Sequence, residues 1–166
     1  MTIQWNAVMH RAIDIARRAK DAGEPPFGAL VLDSSGNEIA AMSDRVSAYQ
    51  DPTRHAETEV VRAAVAARGP DLSGCTLVTT VEPCPMCFTA AWLAGIARIV
   101  YGTTMAEVAR VTANAQREVK VPVEQMNAVS GHEIELIGAV ADQACLDLFS
   151  PEAIPRLRDR PRARIE

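Results

Sequence analysis

No run of this sequence is apolar for long enough to cross a bilayer, because its richest segments interleave alanines with charged residues. A membrane span is excluded, and a soluble protein is expected. A basic excess is missing as well: the net charge is −4 and the pI about 5.4, so the chain average lacks the phosphate-neutralising footprint of a nucleic-acid binder. The opening Met1-Thr2-Ile3-Gln4-Trp5-Asn6 has neither the basic start nor the apolar run of a secretory leader. The four cysteines are therefore expected as reduced thiols in a cytoplasm and not as two bridges. Repeats and low-complexity tracts are also lacking. What remains is 166 residues, 48% of them hydrophobic, enough for one domain with its own core. Residues 1–150 read as that domain. Residues 151–166 read as a tail in which Arg156, Arg158, Arg160, Arg162 and Arg164 alternate with other residues, a solvated end or a contact for a phosphate or a neighbouring subunit.

Local patterns place the elements. Thr2 can cap a helix in which Trp5, Val8, Met9, Ala12, Ile13, Ala16 and Ala19 recur at three- and four-residue steps, ending near Gly23. Residues 27–32 and 38–42 flank Asp33-Ser34-Ser35-Gly36-Asn37 and predict a hairpin. A loop over 43–53 leads to a helix from His55 to Arg68, stopped by Gly69-Pro70. Strands over 76–81 and 97–101 bracket a helix from Pro85 to Ala94, so a right-handed crossover makes them parallel. Helices over 105–116 and 140–149 and a strand over 133–137 complete the pattern, with 118–130 left unassigned. The sum is a three-layer α/β/α sandwich with a mixed five-stranded sheet.

Within that frame, His55-Ala56-Glu57 and Pro83-Cys84-Pro85-Met86-Cys87 stand out. Pro85 suits the first position of a helix, which makes Cys84 its cap and puts Cys87 over the same first turn. The helix tip favours thiolates, the state in which sulfur binds metal. With His55 at the tip of another helix, three ligands can hold Zn²⁺ and leave a fourth position for water, the pattern of a catalytic site. Zinc with two thiolates and a neutral imidazole carries no net charge, so its water needs a base to help it ionise. Glu57 is the candidate: it can take the water's proton, let the oxygen attack an electron-poor C–N carbon, and return protons to a ring nitrogen and to departing ammonia. A Cys-x-x-Cys alone would equally suit a redox pair, but that reading has no use for His55 or Glu57.

Asp51-Pro52-Thr53-Arg54-His55-Ala56-Glu57 together with Glu82-Pro83-Cys84-Pro85-Met86-Cys87 resembles the cytidine deaminase-like superfamily, in the branch of guanine deaminases, fungal-type cytosine deaminases and tRNA adenosine deaminases. The resemblance runs from about residue 5 to 103. It implies His55, Cys84 and Cys87 as zinc ligands, Glu57 as proton shuttle, the backbone amides of Ala56 and Cys84 facing the reacting carbon, and a homodimer. Phe27, within Pro26-Phe27-Gly28-Ala29, brings the chain closer to guanine deaminases than to tRNA adenosine deaminases. With the acidic balance, this points to a small amino-heterocycle and away from RNA. Phe27 and Trp92 can wall in a flat ring or serve as core.

One position departs from the resemblance. Seven residues before Asp51, relatives usually carry an asparagine that bonds the base, and here Asp44 stands. An ionised carboxylate only accepts hydrogen bonds, so an Asp44 in the pocket calls for a substrate N–H or amino group there, which admits pterin- or triazine-like rings beside guanine. The alternative is that Asp44 caps a turn. A cytosine or nucleoside deaminase, a tRNA-editing enzyme and a non-catalytic zinc module remain as other readings. Cys75 and Cys145 read as buried small side chains and His10 and His132 as surface. Asp147, Phe149 and the tail arginines are further pocket candidates.

Overall fold

Two adjacent rows of side chains across the central sheet set the layers of the molecule. The computed structural model describes residues 3–115 and 119–149, so the arginine-rich tail lies outside the described residues. Five strands, β1 (Gly28–Leu32), β2 (Glu38–Ser43), β3 (Thr76–Val81), β4 (Arg98–Thr103) and β5 (Glu135–Ile137), lie in the order β2-β1-β3-β4-β5. β1 is antiparallel to β2 and β3, whereas β3, β4 and β5 run parallel. The mixed five-stranded sheet and the parallel β3–β4 pair are as the sequence predicts.

The registers put Gly28, Thr80 and Gly102 in one row, on one face of the sheet. Helix α1 (Trp5–Asp21) roofs that row so closely that a Cβ on Gly28 would lie 2.3 Å from the Ala12 carbonyl oxygen and 2.8 Å from the Ala16 nitrogen. At the other end of the row a Cβ on Gly102 would lie 2.2 Å from Cys145 Sγ in α7 (Asp142–Leu146). The neighbouring row, Ala29, Thr79 and Tyr101, looks the other way. Thr79 there meets Glu57 of α3 (Ala56–Arg68), and Tyr101 meets Glu124 of α6 (Val123–Val129). α4 (Pro85–Leu93) packs on α3 and α6 in this second helical layer. The strands between are buried on both faces, with Leu30, Val31, Leu77, Val78, Ile99 and Val100 in the core, as expected of a sheet covered on both sides. Among the described residues no helix is long and apolar enough to cross a membrane.

Several boundaries differ from expectation, among them β4, which runs from Arg98 to Thr103, and β5, which begins at Glu135. α1 starts at Trp5, its N-cap Gln4 makes no side-chain capping bond, and Thr2 lies outside the described residues. The loop over 43–53 contains a one-turn helix, α2 (Val46–Tyr49), because Glu24 accepts hydrogen bonds from the amides of Ser47 and Ala48 at 3.0 and 2.7 Å. α5 spans only Met105–Val111, since Ala113 and Asn114 turn to positive φ just beyond it. α7 begins at Asp142, after Ala139 and Ala141 do the same.

Candidate metal centre and catalytic cavity

Two helix tips meet at the C-terminal end of β3. His55 is the N-cap of α3 and Cys84 the N-cap of α4, both with extended backbone (φ −66°, ψ 153° and φ −66°, ψ 167°). Pro85 follows Cys84 at the first helical position, where its missing N–H costs nothing. Cys87 then turns inward on the same turn and is buried.

The donor atoms fit one tetrahedral ion. His55 Nδ1 lies 3.7 Å from Cys84 Sγ and 3.5 Å from Cys87 Sγ, and the two sulfurs are 3.5 Å apart. A tetrahedral zinc with bonds of about 2.3 Å to sulfur and about 2.0 Å to nitrogen needs edges of roughly 3.5 to 3.8 Å. Among the described residues this is the one group of three such side chains close enough to share an ion. Ligation through Nδ1 leaves the imidazole proton on Nε2. The sulfurs are electrostatically unequal. A hydrogen bond from Cys87, assisted by His55, pulls the Cys84 thiol down to about 4, whereas burial pushes Cys87 well above its ordinary value. One ready thiolate and one protonated neighbour describe a pair that metal binding would complete by displacing a proton.

Glu57 sits beside this set without belonging to it. It is buried, Thr79 Oγ1 donates to its Oε1 at 2.8 Å, and its Oε2 lies 3.5 Å from Cys87 Sγ. Burial raises its carboxyl above the ordinary 4.5. His55 and Glu57 are two residues apart and would diverge on a regular helix; they converge because His55 is the extended cap and Glu57 lies in the first turn.

A narrow cavity of about 10 Å³ opens on the group, lined by Phe27, Asp44, His55, Glu57, Val81, Glu82 and Cys84. Phe27 is buried and stacks edge-on against Phe149, with centroids 5.2 Å apart. Asp44 does both things considered for it: it lines the cavity at 1% exposure, and its Oδ1 accepts the Val46 N–H at 3.0 Å at the start of α2. Ala56 is buried as the first residue of α3. The structure does not bring Trp92 to the cavity. It lies five residues past Cys87, well round the helix, where it lines a separate groove with Phe88, Met126 and Val129 and donates from Nε1 to the His132 carbonyl. Asp147 accepts from Gln143 Nε2.

Two residues that bear on the site carry no role in the sequence reading. Thr79 orients Glu57, and its place two before Val81 on one face of a strand is the signal that could have found it. Glu82 is buried, and its Oε2 accepts the Met105 N–H at 3.0 Å while Oε1 accepts the Val123 N–H at 2.8 Å. It thereby ties the loop carrying Cys84 to the first residues of α5 and α6.

The profile of the cytidine and deoxycytidylate deaminase zinc-binding region matches residues 3–103. The chain belongs to this deaminase family. A probable cytosine deaminase of Schizosaccharomyces pombe is 33% identical over 146 residues, covering 84% of this chain and 87% of that protein. A tRNA(Ile)-lysidine synthase of Deinococcus deserti is 47% identical over 100 residues, 60% of this chain, and the chain spans only 19% of its length. The solved structure of guanine deaminase from Nitrosomonas europaea superposes with a TM-score of 0.79 at 25% identity, covering 92% of this chain and 86% of that one. The deaminase family is zinc-binding, and His55, Cys84 and Cys87 are the group in this member that fits the ion.

Proposed function

We propose that the protein hydrolyses the amino group of a free nucleobase or related aminated N-heterocycle and releases ammonia, a guanine-type purine being the first choice. The observation that carries this reading is a buried carboxyl, Glu57, placed next to a three-donor zinc set without being a ligand. A purely structural ion would close its fourth position and need no such neighbour.

When held by His55 Nδ1 and the two sulfurs, zinc supplies the Lewis acidity that makes a water reactive near neutral pH. Glu57 accepts that water's proton. Thr79 steadies its Oε1, and a carboxyl raised by burial is the stronger base for that proton, which it then carries to the ring nitrogen and to the leaving amine. Phe27 offers one apolar wall to a flat ring. The net charge of −4 and the absence of lysine and arginine from the described lining support a small neutral substrate. Further support comes from relatives named guanine and cytosine deaminases and from a similar structure that holds 8-azaguanine. A second reading, tRNA adenosine deamination, is favoured by relatives bearing that name.

The test is ammonia release by zinc-loaded protein from guanine, adenine, cytosine, their nucleosides, aminopterins, aminotriazines and a tRNA anticodon stem-loop. Turnover of a free ring with silence on the RNA is expected. Activity confined to the stem-loop would replace this reading with the second.

A further inference from the structure

The walls of the cavity come from two sources. His55, Glu57, Val81, Glu82 and Cys84 belong to α3 and its cap, to β3 and to the metal-bearing loop that Glu82 ties down. Phe27 and Asp44 lie just before β1 and just after β2, where the Asp44 N–H donates to the Phe27 carbonyl at 3.2 Å, past the last ladder pair, Gly28 with Ser43. The open end of a hairpin frays unless something outside the ladder holds it. Glu24 meets that need. Its N–H donates to the Ala19 carbonyl of α1 at 2.9 Å, and its carboxylate accepts the N–H groups of Ser47 and Ala48 in α2, just past Asp44. Pro25 and Pro26 stiffen the steps from Glu24 to Phe27, whose N–H donates to the Pro25 carbonyl at 2.9 Å. On the far side, the Arg45 N–H donates to the Arg54 carbonyl at 2.9 Å, next to His55. Ala48 is exposed and Ser47 partly so, and water could serve both amides. What the carboxylate adds is a fixed place for α2 relative to Phe27.

Resting on the deaminase reading above, we propose that Glu24 is a positioning residue for the substrate ring. From outside the cavity it holds the Phe27 and Asp44 walls at a fixed separation, and it takes no part in metal binding or proton transfer. Those walls meet the ring in the same way before and during reaction. Loosening them therefore weakens ground state and transition state alike, which raises KM and leaves kcat in place.

The experiment measures kcat and KM for guanine and cytosine, with zinc content and Tm, on the zinc-loaded parent, Glu24→Ala and Glu24→Gln. In the alanine variant KM is expected to rise roughly 10-fold or more, the worth of one hydrogen bond to a charged group, while kcat stays within about threefold of the parent and zinc is retained. The glutamine variant keeps one acceptor oxygen and turns an NH₂ toward the second amide, so its KM should fall between the two. It also keeps the length and volume of the side chain, so it decides the matter if the alanine variant folds poorly. Unchanged KM in folded, zinc-loaded variants, whatever their Tm, would overturn the proposal and leave Glu24 as a brace of the fold alone. A fall in kcat at unchanged KM would overturn it too, since the effect would then lie in the chemistry. Silence of the zinc-loaded parent on guanine, cytosine and the rest of the panel above would instead overturn the deaminase reading, and this inference with it.

Discussion

Replacing Glu57 by glutamine separates proton transfer from metal binding. The amide oxygen can still accept from Thr79 Oγ1, which donates to Glu57 Oε1 at 2.8 Å, so the buried hydroxyl keeps its partner. Because burial already disfavours the charge at this position, a neutral side chain adds no desolvation cost. The stability of Glu57→Gln is therefore expected to stay within about 1 kcal/mol of the parent. Glu57→Ala, by contrast, would strand the Thr79 hydroxyl at a cost of about 1–3 kcal/mol before any cavity term. No zinc ligand is lost in the glutamine variant, so zinc should remain at one per chain. Turnover is another matter. A positioned acid–base group contributes about 10²- to 10⁴-fold per transfer, and Glu57 serves more than one, so kcat should fall at least about a thousandfold, or about 4 kcal/mol in barrier. Ammonia release and zinc content, measured on the same preparation, check both halves. A glutamine variant that holds its zinc and retains more than a tenth of parent turnover would refute the role given to Glu57. Loss of zinc would refute the division between ligands and base.

Three further outcomes follow from the same geometry. After chelation, iodoacetamide should label Cys84 first and keep doing so from neutral pH down to about 4, below which its thiolate is lost, while buried Cys87 stays protected until unfolding; peptide mapping that shows equal labelling would contradict this. Glu82→Ala should cost about 2–5 kcal/mol in a thermal or denaturant melt, because the Met105 and Val123 amides lose their acceptors, and zinc should exchange faster. Gly28→Ala should cost at least about 1–3 kcal/mol in a denaturant melt, since the new methyl meets α1 backbone and not a pliable side chain; a parent-like midpoint would mean that α1 can lift off the sheet freely.

The parts legible in the sequence were those governed by neighbours in the chain. β3 matches its predicted span, and the tips of α3 and α4 follow from His55, Cys84 and Pro85, because periodicity and capping are local. α2 has no local signal, since its amides are held by Glu24, over twenty residues earlier. The short ends of α5 and α7 depend on alanines and an asparagine in the left-handed region, and alanine carries no sequence signal for that conformation. Chemistry alone puts Trp92 beside the ring-binding residues; its angle around α4 relative to Cys87 decides otherwise. The role of Glu82 rests on partners in two later helices, beyond any local pattern.

The brace at Glu82 also separates what is inherited from what is mechanically complete. The match to the family's zinc-binding region ends at residue 103, and both amides that Glu82 holds, at Met105 and Val123, lie past that limit. The metal-bearing loop thus leans on chain outside the matched zinc-binding region. A chain cut after residue 103 would keep every candidate ligand and lose both amides that brace the loop between them.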